Sequence, residues 1–449
     1  MGNSRSLLKQ FLKYVSLNIL GQAAFSLYTM ADTFFVSAKL GTNGLTALNI
    51  AFPIFCIISG LGLMIGMGAA TRFSLAKSRG ELEKGNRYFT NALFMIIGLS
   101  FCFIVLGIFA AGPIGSLLGA DESIYPYTKI YLQVMMLFTP AFMLNHLLQC
   151  FVRNDGKPTL SMAAMITGSM ANILLDYVFI FPCDLGIFGA ILATGLSPII
   201  SMLVISPYLL KRKNSFKLIK TKISLKVCGE LSSSGVPSLI TEFSSGLIMF
   251  LFNFLILRIE GNVGVAAFGI VSVISLVVVA MFTGLSQGIQ PLISSNFGSG
   301  DLKSVKKIFN YSLIALIILA STTYSIIFFG SDGIANIFNS EKDSYLQELA
   351  IEGLRLYFIA TPFIGFNILA ATYFSSTERT FLGQLVSILR GLILLIPLSF
   401  LLSYTLEMLG IWITYPISEA LTFLIAIGIF SFLFSKLRKK QNSEKLSNN

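Results

Sequence analysis

Charged residues are scarce in this sequence. Only 12% of its 449 residues are Asp, Glu, Lys or Arg, whereas 55% are hydrophobic, and the mean hydropathy is +0.80. Soluble globular proteins carry about 25% charged residues. Half that share excludes an ordinary soluble domain and indicates an integral membrane protein.

Cysteine patterns and catalytic motifs are also lacking. The five cysteines are scattered and odd in number, and they show no metal-ligand spacing. They therefore support neither a disulfide framework nor a zinc site. No nucleophile–base set or phosphate loop is recognisable. The sequence predicts neither an enzyme nor a bound cofactor.

Long apolar runs are what the chain has instead. Each run is about 20 residues long, which is enough to cross a bilayer core of about 30 Å. The first follows charged residues without a small-residue cleavage site, so we expect a retained helix and not a signal peptide. We predict an all-α membrane fold with twelve spans, near 11–36, 46–71, 89–111, 127–152, 159–181, 185–210, 232–257, 264–295, 308–329, 347–375, 382–403 and 409–435.

The positive charges behind the net charge of +11 follow a regular pattern along the chain. Basic residues concentrate at the termini and in alternate loops, most densely in 72–87, 211–226 and 436–445, whereas the opposite loops carry mostly acids. The positive-inside rule then predicts that both termini are cytoplasmic and that the number of spans is even. We interpret the basic segments as topology signals and contacts with membrane lipid, not as a nucleic-acid surface.

The two halves of the chain resemble each other. At an offset of about 220 residues, "GLTALNI" (44–50) aligns with "GVAAFGI" (264–270), and "TPAFMLN" (139–145) faces "TPFIGFN" (361–367) slightly further along. Six spans in each half predict a parallel repeat about an axis normal to the membrane, as in some secondary transporters; an old duplication without a mechanical role is the alternative. The predicted units are an amino-terminal lobe (1–210), a cytoplasmic linker (211–231), a carboxy-terminal lobe (232–435) and a basic cytoplasmic tail (436–449).

Acidic side chains inside the predicted spans are the first functional candidates. An ionised Asp at the bilayer centre costs roughly 2.5–3.5 kcal/mol, so such residues usually face a cavity and serve a function. Asp32, Asp176 and Glu242 lie well inside spans, and Glu419 is a fourth candidate. The first and fifth spans both run outward, which places Asp32 and Asp176 at nearly the same depth near the outer ends.

Asn172 and Thr194 complete a polar group with the two aspartates. Asn172 precedes Asp176 by four residues and projects from the same helix face, and Thr194 lies at a similar level in the sixth span. We expect all four side chains to converge in the amino-terminal lobe. The group can coordinate Na⁺ through its oxygens, or its carboxylates can exchange H⁺ near neutral pH. In the alternative, Asp32 only caps a helix end and Asp176 is hydrogen-bonded locally.

The carboxy-terminal half lacks this group, because Phe252 stands where Asp32 would repeat. Conversely, Glu242 aligns with Gln22 of the first span. We regard Gln22, Glu242 and Gln287 as candidate substrate-binding residues. Glu242 either meets a cationic substrate in an inward-facing cavity or lies solvated at its mouth.

Arg390 and His146 also lie within spans. Arg390 in the eleventh span needs a partner, which Glu419 or backbone carbonyls can supply; we interpret this as a structural ion pair. His146, the single histidine, has no partner motif, so we expect it to be packed or hydrogen-bonded and not to act as a proton relay.

Four stretches are similar to a known family. The strings "SLYTMADTFFVSAKLGTNGLTALNIAFPI" (26–54), "AKSRGELEKGNRYFTNAL" (76–93), "FVRNDGKPTLSMAAMITGSMANILLDYVFIF" (151–181) and "LGIFGAILATGLSP" (185–198) resemble the multidrug and toxic compound extrusion (MATE) family of bacterial type. The resemblance implies twelve helices in two six-helix lobes, a central V-shaped cavity, and antiport of cationic or amphipathic compounds against Na⁺ or H⁺.

The resemblance also extends to individual residues. In members with a cation site in the amino-terminal lobe, the first-helix Asp matches Asp32, the fifth-helix Asn and Asp match Asn172 and Asp176, and the sixth-helix Thr matches Thr194. Glu242 matches the seventh-helix Glu of another branch.

The chain departs from the family pattern in two places. The branch with the seventh-helix Glu also uses an Asp in the tenth helix, but 356–377 contains no acid. Many members carry a Pro in the first helix, but "YVSLNILGQ" (14–22) has none. The resemblance therefore implies neither a carboxy-lobe cation site of that type nor a proline-driven bend.

The sequence as a whole predicts a secondary active multidrug exporter of the cytoplasmic membrane. We expect a monomer that binds small organic cations or amphipathic drugs and uses H⁺ or Na⁺ as coupling ion. A lipid-linked saccharide flippase of the same superfamily is the alternative. It would need a strongly basic cavity for pyrophosphate, and the spans offer little besides Arg390.

Overall fold

The described part of the chain is helical throughout. The computed structural model describes residues 2–339 and 342–447, with side chains from 5 to 433 within those ranges. All regular elements within these ranges are helices, so the predicted all-α class is confirmed. Within the predicted basic tail, residues 448–449 lie outside the described part, and 436–447 continue the last helix.

Helical segments follow one another with short connections. The segments and the labels used below are α1 and α2, the two arms of Gly2–Ser78; α3, Leu82–Leu117; α4, Tyr125–Leu137 and Thr139–Asn154; α5, Pro158–Ile180; α6, Gly186–Leu210; α7, Leu225–Ile259; α8, Gly261–Gly298; α9, Leu302–Phe338; α10, Ser344–Tyr357, the 3₁₀ turn Phe358–Ala360 and Thr361–Ser376; α11, Thr380–Ile388, the π-helical turn Leu389–Ile393 and the start of Leu395–Ser447; and α12, the remainder of Leu395–Ser447.

Two of these segments fold back on themselves. A straight helix of 77 residues would be roughly 115 Å long, far more than a bilayer core of about 30 Å. The first segment reverses at Gly41, whose φ of 62° suits a residue without a side chain. The last reverses at Glu407, where φ is 50°.

These reversals account for the number of spans. Nine helices of the described residues are long and apolar enough to cross a membrane, and the two pieces of α4, bent by 47°, form a tenth crossing. Because the segments Gly2–Ser78 and Leu395–Ser447 each turn back, twelve crossings result. The twelve predicted spans are therefore confirmed, and this is a multi-pass membrane protein. Most helices extend beyond the apolar cores predicted from the sequence.

Side-chain caps and prolines fix where several helices begin. Ser224 accepts a hydrogen bond from the Val227 amide at the start of α7, and Asp301 accepts one from the Ser304 amide at the start of α9, 3.0 Å away. Each satisfies a backbone donor that the helix itself leaves unpaired. Pro158 occupies the first turn of α5, where its missing N–H costs nothing.

The helices form two lobes that are joined along closely packed pairs. Small residues let helix backbones approach in membrane proteins, and glycines do so here. A Cβ added to Gly284 of α8 would lie 2.8 Å from the Cα of Ile19 in α1, and one on Gly288 would lie 2.8 Å from the Cα of Val15. The start of α1 thus packs against the carboxy-terminal lobe, α7–α12, although the rest of α1 belongs to the amino-terminal lobe, α1–α6.

Residues 211–224 connect α6 to α7 without helical structure. They are held to the amino-terminal lobe by Asp155, which accepts hydrogen bonds from Lys77 Nζ at 2.6 Å, the Ser215 amide at 2.8 Å and the Tyr208 hydroxyl at 2.7 Å. Burial alone would raise the pKa of Asp155, but the hydrogen bonds from Lys77, Ser215 and Tyr208 outweigh it and hold the pKa below its ordinary value. Phe216 is 1% exposed. We refer to the end of the molecule that carries 211–224 as the linker side.

Hydrogen bonds between the lobes cluster on the linker side. Arg72 Nε of α2 donates to Ser234 Oγ of α7 at 2.9 Å. Asn154 at the end of α4 donates to Gln290 Oε1 of α8 at 2.9 Å, and Gln290 Nε2 in turn donates to Thr71 Oγ1 at 2.9 Å. Since α2, α4 and α8 all end on the linker side, these contacts close the two lobes against each other there.

Candidate functional site

Helices α1, α5 and α6 bring the predicted polar group together. Asn172 and Asp176 are 0% exposed, and Asp32 and Thr194 are 6% exposed. Asn172 Nδ2 donates a hydrogen bond to Thr194 Oγ1 at 3.4 Å. Asp176 lies close enough to Asp32 for their charges to repel each other. The four side chains therefore converge as depth and helix face predicted. The role of the group stays a prediction.

The oxygens of this group are mostly unpaired. Asp32 Oδ1, Asn172 Oδ1 and both carboxylate oxygens of Asp176 are buried and have no hydrogen-bond partner among the described residues. Buried polar atoms are normally satisfied, because each one left unpaired costs free energy. Neither a helix cap by Asp32 nor a local hydrogen bond of Asp176 accounts for these oxygens. Such a set of inward acceptors fits a bound Na⁺ or H⁺.

Two tyrosines that the sequence reasoning did not identify flank the carboxylates. Tyr28 and Tyr131 are buried, and each lies within electrostatic reach of both Asp32 and Asp176. Tyr28 precedes Asp32 by four residues and shares its helix face, which is a signal that could have been used. Tyr131 comes from α4, and nothing in the sequence connects it to the group.

A cavity between the lobes adjoins this group. It consists of two pockets of about 800 and about 1060 Å³ that share Gln22, Phe25, Phe55 and Glu242 as lining residues. The smaller pocket extends through the amino-terminal lobe and includes Gln287, so all three residues predicted to bind substrate line it. Its lining residues also include Tyr28 and Thr194, which connects the cavity to the polar group.

Glu242 lies where the two pockets meet. It is half-buried, and the larger pocket around it is rich in aromatic side chains, including Phe52, Phe268, Tyr357 and Tyr415. Aromatic faces attract cations, and a carboxylate among them strengthens that preference. Glu242 thus lines the cavity, and its contact with a cationic substrate stays a prediction.

The carboxy-terminal lobe contains a buried ion pair. Arg390 Nε and Nη2 donate to Glu419 Oε1 at 2.9 and 2.7 Å, and Asn367 Nδ2 donates to Glu419 Oε2 at 2.7 Å. The predicted pairing of Arg390 with Glu419 is therefore confirmed. The π-helical turn Leu389–Ile393 contains Arg390. Because this pair is internally neutralised, it leaves no free charge for a ligand.

His146 and Arg153, both in α4, line the smaller pocket. The His146 Nε2 atom lies 3.2 Å from Ser59 Oγ, so the predicted hydrogen bonding of His146 is confirmed. Arg153 was not singled out from the sequence, because an arginine in the last turn of a helix is usually solvated and interacts with the terminal carbonyls. Here it is 1% exposed.

The chain is similar to known transport proteins in both sequence and structure. The MatE family model matches residues 18–178 and 237–401, one segment in each half. The "Multidrug export protein MepA" of Staphylococcus saprophyticus is 25% identical over 434 residues, which are 96% of this chain and 95% of that protein. The protein of the same name from Staphylococcus aureus strain NCTC 8325 is 26% identical over 93% of this chain and 92% of its own.

Solved structures show the same architecture. One described as the "Outward-facing conformation of a multidrug resistance MATE family transporter of the MOP superfamily" superposes with a TM-score of 0.89 at 20% identity, covering 96% of both chains. A MOP superfamily transporter from Pyrococcus furiosus has a TM-score of 0.87 at 21% identity, covering 96% of this chain and 95% of its own. With both halves matched and the twelve-helix, two-lobe fold in place, this chain belongs to the MatE family of transporters.

Proposed function

We propose that the protein is a secondary active multidrug exporter that expels cationic or amphipathic compounds by antiport with H⁺ or Na⁺. The observation that carries the proposal is that the polar group of the amino-terminal lobe adjoins the cavity between the lobes. Buried oxygens of Asp32 and Asp176 without hydrogen-bond partners lie beside the cavity, and Tyr28 and Thr194 line the cavity next to them. The names of the MepA relatives, which are export proteins and not enzymes, support the same class of activity.

The geometry supports alternating access. With the linker side in the cytoplasm, as the basic loops predict, the interlobe hydrogen bonds close the cytoplasmic end of the cavity. The coupling ion then reaches Asp32 and Asp176 from outside and favours one arrangement of the lobes. If ion binding changes the affinity for substrate by some factor, thermodynamic linkage requires that substrate change the affinity for the ion by the same factor. One charge moving through 100 mV supplies about 2.3 kcal/mol.

Ethidium efflux from proteoliposomes under imposed Na⁺ or pH gradients tests the proposal. We expect gradient-driven efflux by the wild type and its loss in Asp32→Asn and Asp176→Asn. Asp184→Asn is the matched control. The side chain of Asp184 is 74% exposed and pairs with Lys39 at the end of the molecule opposite the linker side. Equal transport by all variants would contradict the assigned ion site, and a wild type that moves no cation would contradict the exporter.

The flippase alternative finds less support. Pyrophosphate carries at least two negative charges and needs a basic cavity. Among the described residues that line the two pockets, Arg153 is the one arginine or lysine, and the acidic Glu242 lines them too, so the cavity is not strongly basic. Arg390 lies outside both pockets and is neutralised by Glu419.

A further inference from the structure

Arg153 is a buried cation without an anionic partner. Its Nη1 atom donates to Asn18 Oδ1 at 2.9 Å and to Gln287 Oε1 at 2.8 Å. Its Nη2 atom meets only sulfur, Met67 Sδ at 3.1 Å and Cys150 Sγ at 3.6 Å. Its Nε has no partner among the described residues. Because sulfur is a weak acceptor, much of the hydrogen-bonding capacity of this guanidinium remains unused.

The comparison with Arg390 makes this arrangement unusual. Both arginines are buried, but Glu419 neutralises Arg390, whereas Arg153 takes part in none of the ion pairs between described residues. A buried charge without a counter-ion is costly. A purely structural tie between Asn18 and Gln287 could be made by a neutral side chain without that cost.

We propose that Arg153 binds the carboxylate of zwitterionic, amphipathic substrates at the linker-side end of the cavity. The proposal rests on the exporter function and deepens it. Arg153 and Glu242 line the same pocket. A compound with a carboxylate and a cationic aromatic body therefore finds an opposite charge for each end.

The partners of Arg153 explain how the carboxylate is taken up and released. Arg153 and Asn18 lie in the amino-terminal lobe, whereas Gln287 lies in the carboxy-terminal lobe. Separation of the lobes on the linker side removes Gln287 Oε1 and frees a donor for an incoming carboxylate, which makes a stronger, charge-assisted bond. When the lobes close again, Gln287 returns to Nη1 and displaces the anion.

A matched pair of dyes tests the proposal. Rhodamine 110 has a free carboxylate, and rhodamine 123 is its methyl ester, so the two differ only in the anionic group. Binding of each is measured by fluorescence anisotropy to the full-length protein in nanodiscs. The quantity compared is the ratio of the two dissociation constants, which cancels general effects of a mutation on the cavity.

The variants separate anion binding from structure. Arg153→Met is expected to weaken rhodamine 110 relative to rhodamine 123 by about tenfold or more, and Arg153→Lys to retain part of the preference. Gln287→Leu removes the competing acceptor and is expected to tighten rhodamine 110 relative to rhodamine 123. Arg258→Met is the control, because Arg258 stacks on Phe254 at the far end of α7, outside the cavity.

Several results would overturn the proposal. A dissociation-constant ratio that is the same in Arg153→Met and wild type would show a structural arginine. If the wild type binds rhodamine 123 but not rhodamine 110, the proposed anion subsite is wrong, whereas the proposed exporter function still holds. If it binds neither dye, the exporter function itself is contradicted. Displacement of rhodamine 110 by added phosphatidylglycerol, dependent on Arg153, would assign the subsite to a lipid headgroup.

Discussion

Arg79 and Glu378 form a bidentate ion pair between the lobes, with Nη1–Oε1 at 2.9 Å and Nη2–Oε2 at 2.7 Å. Arg79 follows the end of α2, and Glu378 lies between α10 and α11, so the pair joins the two halves of the chain on the linker side. Arg72 Nη1 lies 3.8 Å from the same carboxylate. The hydrogen bonds from Arg79 hold the pKa of Glu378 below its ordinary value.

We expect Glu378→Gln to shift the lobes toward the arrangement that is open on the linker side. The side chains of the pair are about one-third exposed, so we assign it about 1 kcal/mol, a roughly fivefold change in the ratio of the two states. Double electron–electron resonance between labels at Arg87 and Lys307, in a cysteine-free background, reports the change as longer distances. Glu81→Gln is the control, since Glu81 pairs with Lys84 within one lobe. Unchanged distances in Glu378→Gln would mean that the pair does not hold the closure.

The same pair predicts how closure depends on pH. Because the pKa of Glu378 is lowered, its stabilising effect is complete above the ordinary carboxyl value of about 4.3 and is lost only as pH falls through the depressed value. Between about pH 5.5 and 8 the ion pair is therefore constant. Any pH-dependent change in the label distances over that range is expected to disappear in the double variant Asp32→Asn, Asp176→Asn. If the change in distances persisted in the double variant, another titrating group would be responsible.

Removal of the Asp155 carboxylate is expected to destabilise the amino-terminal lobe. Asp155→Asn leaves Lys77 without its partner and weakens the bonds from Ser215 and Tyr208, at a cost of about 3 kcal/mol. Thermal unfolding in detergent measures the loss. Since the pKa of Asp155 is lowered, the difference between variant and wild type is present at neutral pH and shrinks as the pH falls below about 4. Asp121→Asn, in an exposed turn, is expected to change the unfolding temperature little.

Asn172→Ala is expected to distinguish the coupling ions. Asn172 Oδ1 is buried and unpaired beside the two carboxylates, so it can serve as a ligand to Na⁺ but does not carry a transferable proton. If Na⁺ drives transport, the half-saturating Na⁺ concentration for transport rises about tenfold in Asn172→Ala, the equivalent of about 1.4 kcal/mol. If H⁺ drives transport, the dependence of the transport rate on pH stays nearly unchanged. Tyr177→Phe on the exposed face of α5 is the control. A loss of transport with both ions would show that Asn172 serves the packing of α5.

Overpacking of the α1–α8 contact is expected to open the linker side as well. The Cβ of Gly288→Ala would lie 2.8 Å from the Cα of Val15 and 3.0 Å from the carbonyl oxygen of Tyr14. Backbone atoms cannot yield as a flexible side chain can, so closure loses about 1–3 kcal/mol. The label distances used for Glu378→Gln report the shift. Gly98→Ala, which meets nothing within 4 Å, should leave the distances unchanged, and an equal effect of both substitutions would contradict steric opening.

The sequence by itself determined the number of crossings and which polar residues share a depth in the membrane. Apolar run lengths fixed the twelve crossings, and helical periodicity with matched depth predicted that Asp32, Asn172, Asp176 and Thr194 converge. An intramembrane arginine needs a partner, for which Glu419 or backbone carbonyls were available to Arg390; the structure has Glu419.

Only the tertiary structure decided which helices lie side by side. It brought Tyr131 to the two aspartates, buried Arg153 against Gln287 of the other lobe, and joined Arg79 to Glu378. In each case the residues are far apart in the chain and belong to different helices. Depth and helix face are properties of one segment and can be derived from its residues, whereas lateral distances result from the packing of all the helices at once.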